Sequence, residues 1–286
     1  MFNSNVTPDY FEPWLQFKTP IVRQLAFCIA SQTLLNEVPP DLEMKHSFEF
    51  HQQHIWQTYY HAYKSRLLKL DQEPKELIEF VARLKSTRLG LRFENLLWFW
   101  LQDDSYHPYK LLGHSIQQIS GSTTLGEIDF LLLNQQTQEI EHWEVALKYY
   151  LGEGELQLSD WFGLNREDHL QRKLQHFTER QFQFTEVDDY PIQRKFVVLK
   201  GQLYLPHNHD LSSLPDWINT SRRFGQWGCT IPSSTYFRLQ RQEWICPNLD
   251  LSSQATQWWT NGLYYNETTE LKYYMFRQPP LLSHSF

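Results

Sequence analysis

Two strand-length segments in the middle of the chain each carry one carboxylate within an apolar run. Asp129 lies in segment 126–133 and Glu144 lies in segment 142–150. The polar residues 134–138 join the two segments, a pattern typical of a β-hairpin. A carboxylate in a buried strand costs several kcal/mol unless it is paired, hydrogen-bonded or bound to a metal. Asp129 and Glu144 are therefore expected to have a structural or a chemical role.

The strand that carries Glu144 has two chemically different faces, because alternate side chains of a strand share a face. Glu144 lies on the same side as Lys148, and the opposite side is apolar. The simplest interpretation is structural, with Asp129 at a strand end and Glu144 in an ion pair with Lys148. The alternative is that these groups carry out a reaction.

A third carboxylate upstream favours the reactive interpretation. Glu94 lies in segment 89–101, which has helical character, and it shares a face with apolar residues three, four or seven positions away. Those residues are Leu91, Leu97, Trp98 and Leu101. One helix and two successive strands thus supply three carboxylates in core-like settings. Such an oxygen-only set suits Mg²⁺ or Mn²⁺ better than zinc.

This order of motifs resembles the PD-(D/E)xK nuclease superfamily: a helix with Glu94, a strand with the sequence Gly-Glu-Ile-Asp ending at Asp129, and a strand with Glu144 and a nearby lysine. Three longer strings are similar to those of the bacterial domain-of-unknown-function family 1853, and this similarity extends over most of the chain. They are Arg88-Leu89-Gly90 with Glu94, His142-Trp143-Glu144-Val145-Ala146 with Lys148, and Trp161-Phe162-Gly163-Leu164-Asn165 with Asp168-His169-Leu170 and Lys173-Leu174.

The resemblance implies a restriction-endonuclease-like core that hydrolyses phosphodiester bonds of nucleic acid, with DNA as the expected substrate. Asp129, Glu144 and the carbonyl of Val145 would hold one or two Mg²⁺ or Mn²⁺ ions, and Glu94 would complete or orient the ligand set. Two alternatives remain open. One is an inactive nuclease fold that binds nucleic acid or protein, and the other is an unrelated α/β protein in which Glu94 lies far from Asp129.

The lysine of the motif departs from the superfamily pattern. The superfamily places it two residues after the glutamate, where this chain has Ala146. Lys148 lies on the same strand face, about 6.6 Å further along. Lys173 is the second candidate, beside a predicted helical stripe of Leu170, Leu174 and Phe177, and Gln171 and Gln175 rank below it. The resemblance implies that Lys148 or Lys173 positions the attacking water or the phosphate; otherwise the stem of Lys173 covers apolar surface.

Composition sets the outer limits of these interpretations. The 286 residues include 41% hydrophobic and 16% aromatic side chains, which provides a large core and argues against a disordered chain. The three widely spaced cysteines fit neither a disulfide framework nor a Cys-x-x-Cys zinc site, so we expect a reducing cytosol. The sequence shows neither a signal peptide nor an apolar run of about 20 residues, so we expect a cytoplasmic protein outside the membrane.

The net charge of −7 argues against a nucleic-acid partner, because phosphate contacts need lysine and arginine. Segment 64–92 differs from the rest of the chain, with eight basic and four acidic residues. This local excess is interpreted either as a DNA-facing patch or as an ordinary mixed helix surface.

The predicted fold class is α/β, with a central mixed β-sheet flanked by helices. One domain over 1–286 is expected to comprise a helical region (1–75), a nuclease-like core (76–206) and an α+β extension (207–286). The predicted helices cover 21–35, 46–70, 74–84, 89–101 with a cap at Ser86 or Thr87, and a segment capped by Asn165 with Asp168. The predicted strands, besides the hairpin, cover 109–119 at a sheet edge, 195–206 with a bulge at Gly201, 235–239 and 243–246.

The histidines of 46–70 are expected to be solvated or packed on aromatic rings rather than to bind a metal. They are His46, His51, His54 and His61. His207 and His209 are expected to lie in a loop, and most C-terminal aromatic residues are expected to pack in a core.

Overall fold

The computed structural model describes residues 10–121, 123–206, 214–247, 254–268 and 272–279. The α-helices in these ranges are α1 (Pro20–Ala30), α2 (Gln53–Gln72), α3 (Lys75–Ala82), α4 (Leu89–Gln102) and α5 (Leu170–Glu179). The strands are β1 (Glu49–Phe50), β2 (Tyr109–Ser120), β3 (Thr123–Asn134), β4 (Glu139–Gly152), β5 (Trp161–Phe162), β6 (Glu186–Val187), β7 (Tyr190–Pro191), β8 (Arg194–Pro206), β9 (Gly225–Gly228), β10 (Phe237–Arg238), β11 (Gly262–Tyr265) and β12 (Tyr273–Phe276).

One large mixed sheet organises the fold. Its order is β10-β11-β12-β9-β8-β4-β3-β2, with β1 added on β8 and β5 added on β4. The pairs β4/β8, β8/β9, β9/β12 and β1/β8 are parallel, whereas the hairpin β3/β4 and the pair β2/β3 are antiparallel. The predicted α/β class with a mixed sheet and flanking helices is confirmed, as is β2 at a sheet edge. The C-terminal strands β9–β12 continue the same sheet.

Both faces of the central strand β4 are covered, which explains its long apolar run. Trp143 and Val145 point into the cluster formed with α1–α4, whereas Ala146 and Tyr150 point into the cluster that holds α5. The side of β4 that carries Glu144 therefore lies under α5 rather than in solvent. The predicted stripe of α5 is confirmed, because its three apolar side chains are fully buried.

The start of α5 differs from the prediction. His169 is its N-cap residue, and its Nδ1 accepts a hydrogen bond from the backbone N–H of Arg172 at 3.3 Å. Asn165 instead closes a local turn by accepting from the backbone N–H of Glu167, and Asp168 binds Lys148. The predicted cap was wrong because asparagine side chains also stabilise turns outside helices.

The N-terminal helices are shorter than predicted. Helix α1 ends at Ala30 instead of residue 35, because the next segment bonds to the sheet: the N–H of Leu34 donates to the carbonyl of Leu199. Helix α2 begins at Gln53 instead of residue 46, because residues 49–50 form β1 beside β8. The predicted aromatic packing of a histidine is confirmed for His51, whose ring stacks on Phe196 with 4.1 Å between centroids.

Strand β8 is confirmed, but Gly201 does not interrupt its register: it pairs with Lys148 in an unbroken ladder. Its φ is +124°, and a Cβ there would lie 1.8 Å from the carbonyl oxygen of Lys148. Gly201 thus permits a close backbone approach rather than a bulge.

The C-terminal predictions were partly wrong. Residues 243–246 do not form a strand, because Arg241–Trp244 is a 3₁₀-helix with a capping box between Gln240 and Glu243. The predicted strand 235–239 is reduced to β10. His207 and His209 lie outside the described residues. Among the described helices, none combines the length and apolar character that crossing a membrane requires.

Candidate functional site

The site begins where β3 and β4 separate. Their ladder ends at the pair Phe130 and Trp143. Beyond this pair β3 continues on β2, and β4 continues on β8. The next residues, Asp129 on β3 and Glu144 on β4, therefore flank an opening inside the sheet. We call this opening the fork.

Side chains replace the missing ladder bonds at the fork. The N–H of Val145 donates to Oδ2 of Asp129 at 2.8 Å, and the N–H of Asp129 lies 3.4 Å from Oε1 of Glu144. The N–H and C=O of one strand residue point to the same side, so the carbonyl of Val145 also faces the β3 side. Asp129, Glu144 and the Val145 carbonyl are thus gathered at one point.

Glu144 is held by two further donors. Nε2 of His142 lies 2.6 Å from its Oε1, and Nε2 of Gln181 lies 2.6 Å from its Oε2. Burial lowers the pKa of His142 to about 3, so its ring is neutral near pH 7 and donates to Glu144 through Nε2–H. These contacts fix the Glu144 carboxylate, which is 1% exposed.

The fork brings two buried carboxyl groups together, and burial makes their ionised forms unfavourable. Burial raises the pKa of Glu144 to about 8, and Gln181 and Lys173 oppose this shift. Burial, Glu144 and Glu94 together raise the pKa of Asp129 well above its ordinary value. In turn, burial lowers the pKa of Lys173, while Glu144 and Asp129 oppose that change. The two carboxylates and Lys173 therefore form one electrostatic unit.

Glu94 reaches the site from α4 and has partners of its own. Its Oε1 lies 2.8 Å from Nε2 of His114 and 3.3 Å from Oγ of Ser115. The His114 ring is held between Trp98 and Phe130, with centroid distances of 4.3 and 4.9 Å. Ser115 has a φ of +50°, which is uncommon for a residue other than glycine and often marks a functional site. These two residues of β2 hold Glu94 in place.

Helix α4 starts differently from the prediction. Its N-cap residue is Arg88, without a side-chain cap, and neither Ser86 nor Thr87 caps the helix. The hydroxyl of Ser86 accepts from the N–H of Arg88, which places the serine in the preceding turn.

An open cavity of about 700 Å³ collects the predicted residues. Its walls include the three predicted carboxylates and both lysine candidates, Glu94, Asp129, Glu144, Lys148 and Lys173, but not the lower-ranked Gln171 and Gln175. Glu94 and Asp129 therefore line one cavity, whereas the second alternative expected them to lie far apart. The walls also include Arg88 and Arg241.

With this geometry in place, comparisons with known proteins give one match. A family model described as a domain of unknown function, DUF1853, matches residues 23–272. The chain belongs to the DUF1853 family. No curated protein and no solved structure was found to match it. The matched range contains every residue of the fork and of the cavity wall named above.

The two lysines of this DUF1853 protein have different partners. Nζ of Lys148 lies 2.7 Å from both carboxylate oxygens of Asp168. The ion pair between Glu144 and Lys148 that the structural interpretation required is absent from the described residues. Nζ of Lys173 lies 4.0 Å from the centroid of the Phe177 ring, and its charge acts on Glu144 and Asp129.

Several residues of the DUF1853 site were not found by sequence reasoning. Gln181, His142, His114 and Ser115 hold the two glutamates, and Asp168 holds Lys148. His142 lies two residues before Glu144 and therefore shares its strand face, which was a usable signal. Gln181 and His114 reach the site from other elements, so the linear sequence gave no signal for them.

The donor chemistry of the fork fits a hard divalent cation. Magnesium binds through one or two carboxylates and keeps several water ligands. Asp129 and Glu144 supply the carboxylates, and the Val145 carbonyl supplies a third oxygen. Across the described ranges, no group of three His, Cys, Asp or Glu side chains is arranged to hold a metal ion. A cation here would be held by the carboxylates of Asp129 and Glu144, the carbonyl of Val145 and water molecules.

Proposed function

We propose that the protein is a metal-dependent nuclease that hydrolyses phosphodiester bonds of DNA on a restriction-endonuclease-like core. The observation that carries this proposal is the fork, where buried carboxylates with raised pKa values meet Lys173 in an open cavity. Perturbed titratable groups that converge in a cavity are typical of catalytic sites.

The cofactor in this proposal is Mg²⁺ or Mn²⁺, held by Asp129, Glu144 and the carbonyl of Val145. When bound, the ion supplies a water of lowered pKa and positive charge next to the phosphate. His142 and Gln181 orient Glu144 through its two oxygens. Glu94 faces the same cavity with one oxygen held by His114, so it is suited to orient a water ligand.

Lys173 is the better candidate for the lysine of the motif. Its charge acts on both fork carboxylates, whereas Lys148 is held by Asp168. In this role Lys173 would orient the attacking water or a phosphate oxygen through its ammonium group. Lys148 would then fix Asp168, which lies two residues before α5, and thereby support the position of Lys173.

Two arginines of the cavity wall are suited to bind the negatively charged phosphates of the substrate. Arg88 and Arg241 line the cavity, and no carboxylate of the described residues lies within ion-pair distance of either. The guanidinium of Arg241 lies 4.0 Å from the centroid of the Trp244 ring, which holds it in place. Within the basic segment 64–92, Arg66 instead binds Glu76 and Asp103. The relevant positive surface is therefore the cavity wall, not the whole segment.

An inactive module that binds nucleic acid or protein is the second candidate. It is favoured by one observation: Ala146 stands where the superfamily pattern has its lysine, and Lys148 is bound to Asp168. In this case the cavity would bind a phosphate through Arg88 and Arg241 without cleaving the chain.

A cleavage assay separates the two functions. The wild-type protein, Glu144→Gln and the control Glu139→Gln are incubated with plasmid DNA, linear duplex, single-stranded DNA and RNA, each with Mg²⁺, Mn²⁺ or a chelator. Glu139 lies on the same strand but away from the cavity wall. We expect metal-dependent cleavage of DNA by the wild type and the control, and none by Glu144→Gln. Binding of these substrates without cleavage by any variant would support the inactive module.

A further inference from the structure

A second, smaller cavity shares the side chain of Tyr149 with the fork cavity. Its volume is about 30 Å³. Tyr149 of β4, Tyr204 of β8, Ser31 after α1 and Arg222 before β9 all line it. We call it the arginine cavity. It joins parts of the chain that are far apart in sequence.

Four buried polar atoms of this cavity lack a hydrogen-bond partner among the described residues. They are Oγ of Ser31, the hydroxyls of Tyr149 and Tyr204, and Nε of Arg222. Most buried polar groups in native proteins are paired, and an unpaired one is destabilising. Four such atoms at a single small cavity indicate a missing common partner rather than four independent defects.

The charge of the cavity is also unbalanced. Nη1 of Arg222 donates to the carbonyl of Gln32 at 2.7 Å, and Nη2 donates to the carbonyl of Gly201. Both acceptors are neutral. Glu12 also lines the cavity, but it is paired with Arg223 at 2.8 Å. In the described part of the chain no carboxylate lies within ion-pair distance of Arg222.

These groups remain charged or protonated at neutral pH. Burial lowers the pKa of Arg222 only to about 10, so its guanidinium stays positive. Burial raises the pKa values of Tyr149 and Tyr204, so both phenols keep the proton that they donate. Arginine Nε–H can only donate, and the serine hydroxyl can donate as well. The cavity thus presents four donors, and among its described lining residues two arginines, Arg222 and Arg223, face a single carboxylate, that of Glu12.

We propose that the arginine cavity binds one monovalent anion of the size of chloride. A volume of about 30 Å³ holds one or two water-sized particles and excludes a nucleotide. An anion satisfies the donors and balances Arg222, whereas a water molecule leaves the charge unbalanced. The anion would stabilise the junction of β4 and β8 with the segments that carry Ser31 and Arg222. This proposal is independent of nuclease activity.

Thermal unfolding of the full chain tests the proposal without an activity assay. The melting temperature is measured in sodium chloride, sodium bromide and sodium gluconate at equal ionic strength. We expect it to rise with halide concentration and to remain flat in gluconate, whose anion is too large, because a ligand of the native state stabilises it by mass action. Equal melting temperatures in all three salts would overturn the proposal in favour of water.

Two isosteric variants locate the effect. Tyr149→Phe and Tyr204→Phe each remove one donor and keep the ring, so each is expected to weaken halide binding by about fivefold to tenfold. The control Tyr60→Phe removes a buried hydroxyl that pairs with Gln16 away from this cavity. It should retain the full halide dependence. Halide dependence unchanged in both cavity variants would place the anion elsewhere and reject the site.

Crystals grown in bromide give a direct check. An anomalous peak beside Nε of Arg222 is the expected result. Density without anomalous signal at that point identifies a water molecule and overturns the anion assignment.

Discussion

Two lysines close to the central strands differ in how their charge is satisfied. Nζ of Lys200 on β8 donates to the carbonyls of Cys28 and Ile29 at 2.6 and 3.3 Å, at the carboxyl end of α1, and lies 3.4 Å from the centroid of a Trp56 ring. Lys173 on α5 instead faces the carboxylates of the fork across an open cavity.

The difference separates a structural lysine from a candidate catalytic one. Burial lowers the pKa of both ammonium groups. The negative end of a helix and an aromatic face satisfy Lys200 within the fold. Lys173 belongs to a unit whose charges remain partly unsatisfied, and such a unit can bind a cation or a phosphate. Burial of a lysine therefore does not indicate function, whereas the nature of its partners does.

The largest effect is expected at the structural lysine. Lys200→Ala should lower the free energy of unfolding by about 3 kcal/mol, because it leaves a cavity and two unbonded carbonyls. Urea unfolding measures the change, with the exposed Lys110→Ala as control. Cleavage per folded molecule should not change. A stability equal to that of the wild type would show that Lys200 does not support α1.

Lys173 should show the opposite pattern. Lys173→Met is expected to reduce single-turnover DNA cleavage by roughly a hundredfold, the scale of losing one electrostatic stabiliser, and to change the free energy of unfolding by less than about 1 kcal/mol. Lys148→Met should reduce cleavage by only about tenfold, since it acts through Asp168. A larger loss for Lys148→Met than for Lys173→Met would restore Lys148 as the lysine of the motif.

Metal binding should raise the melting temperature, and this increase should depend on the carboxylates of the fork. A ligand that binds only the native state at a hundred times its Kd stabilises it by about 2.7 kcal/mol. Mg²⁺ should therefore raise the Tm of the wild type and of Lys200→Ala by similar amounts, and Asp129→Asn should lose most of this gain. Differential scanning fluorimetry is sufficient. An equal gain in Asp129→Asn would exclude Asp129 as a ligand.

A more gradual effect concerns pH. The pKa of Glu144 is raised to about 8 in the folded protein, from an ordinary value near 4.5, so the native state binds the extra proton between these values. The stability that this bound proton contributes to the native state is fully present below about pH 4.5 and is lost as pH rises through about 8. Glu144→Gln should therefore become more stable relative to the wild type by at most about 1.4 kcal/mol per pH unit across this window. Urea midpoints at pH 5, 6.5 and 8 without metal measure this difference, which should stay constant if Glu144 titrates normally.

Local patterns in the sequence predicted the parts of the site that depend on local structure. The alternation around Glu144 and the helical spacing around Glu94 located three carboxylates that line one cavity. The spacing of Leu170, Leu174 and Phe177 likewise predicted the buried stripe of α5. In each case the regular spacing of side chains along a single helix or strand determines which of them face the core.

The parts that failed depend on contacts between distant segments. Residues 31–35 have helical composition, but Leu34 bonds to β8 and the helix ends early. The choice between Lys148 and Lys173 depends on Asp168, whose position follows from a turn that sequence spacing interpreted as a helix cap. Gln181 contacts Glu144 because α5 packs across the sheet. The spacing of residues within a single helix or strand does not indicate such contacts between distant segments.

Gly201 connects the fork cavity to the arginine cavity, so substitutions in the two cavities are expected to affect each other. Its backbone lies against the carbonyl of Lys148 on the fork side, and its own carbonyl accepts from Arg222 on the other. Any side chain at this position would force the Gly201 backbone away from Lys148 and would thereby shift the carbonyl that Arg222 binds. Changes tolerated beside Arg222 should therefore depend on the residues near Lys148, so substitutions in one cavity are expected to alter which substitutions the other accepts.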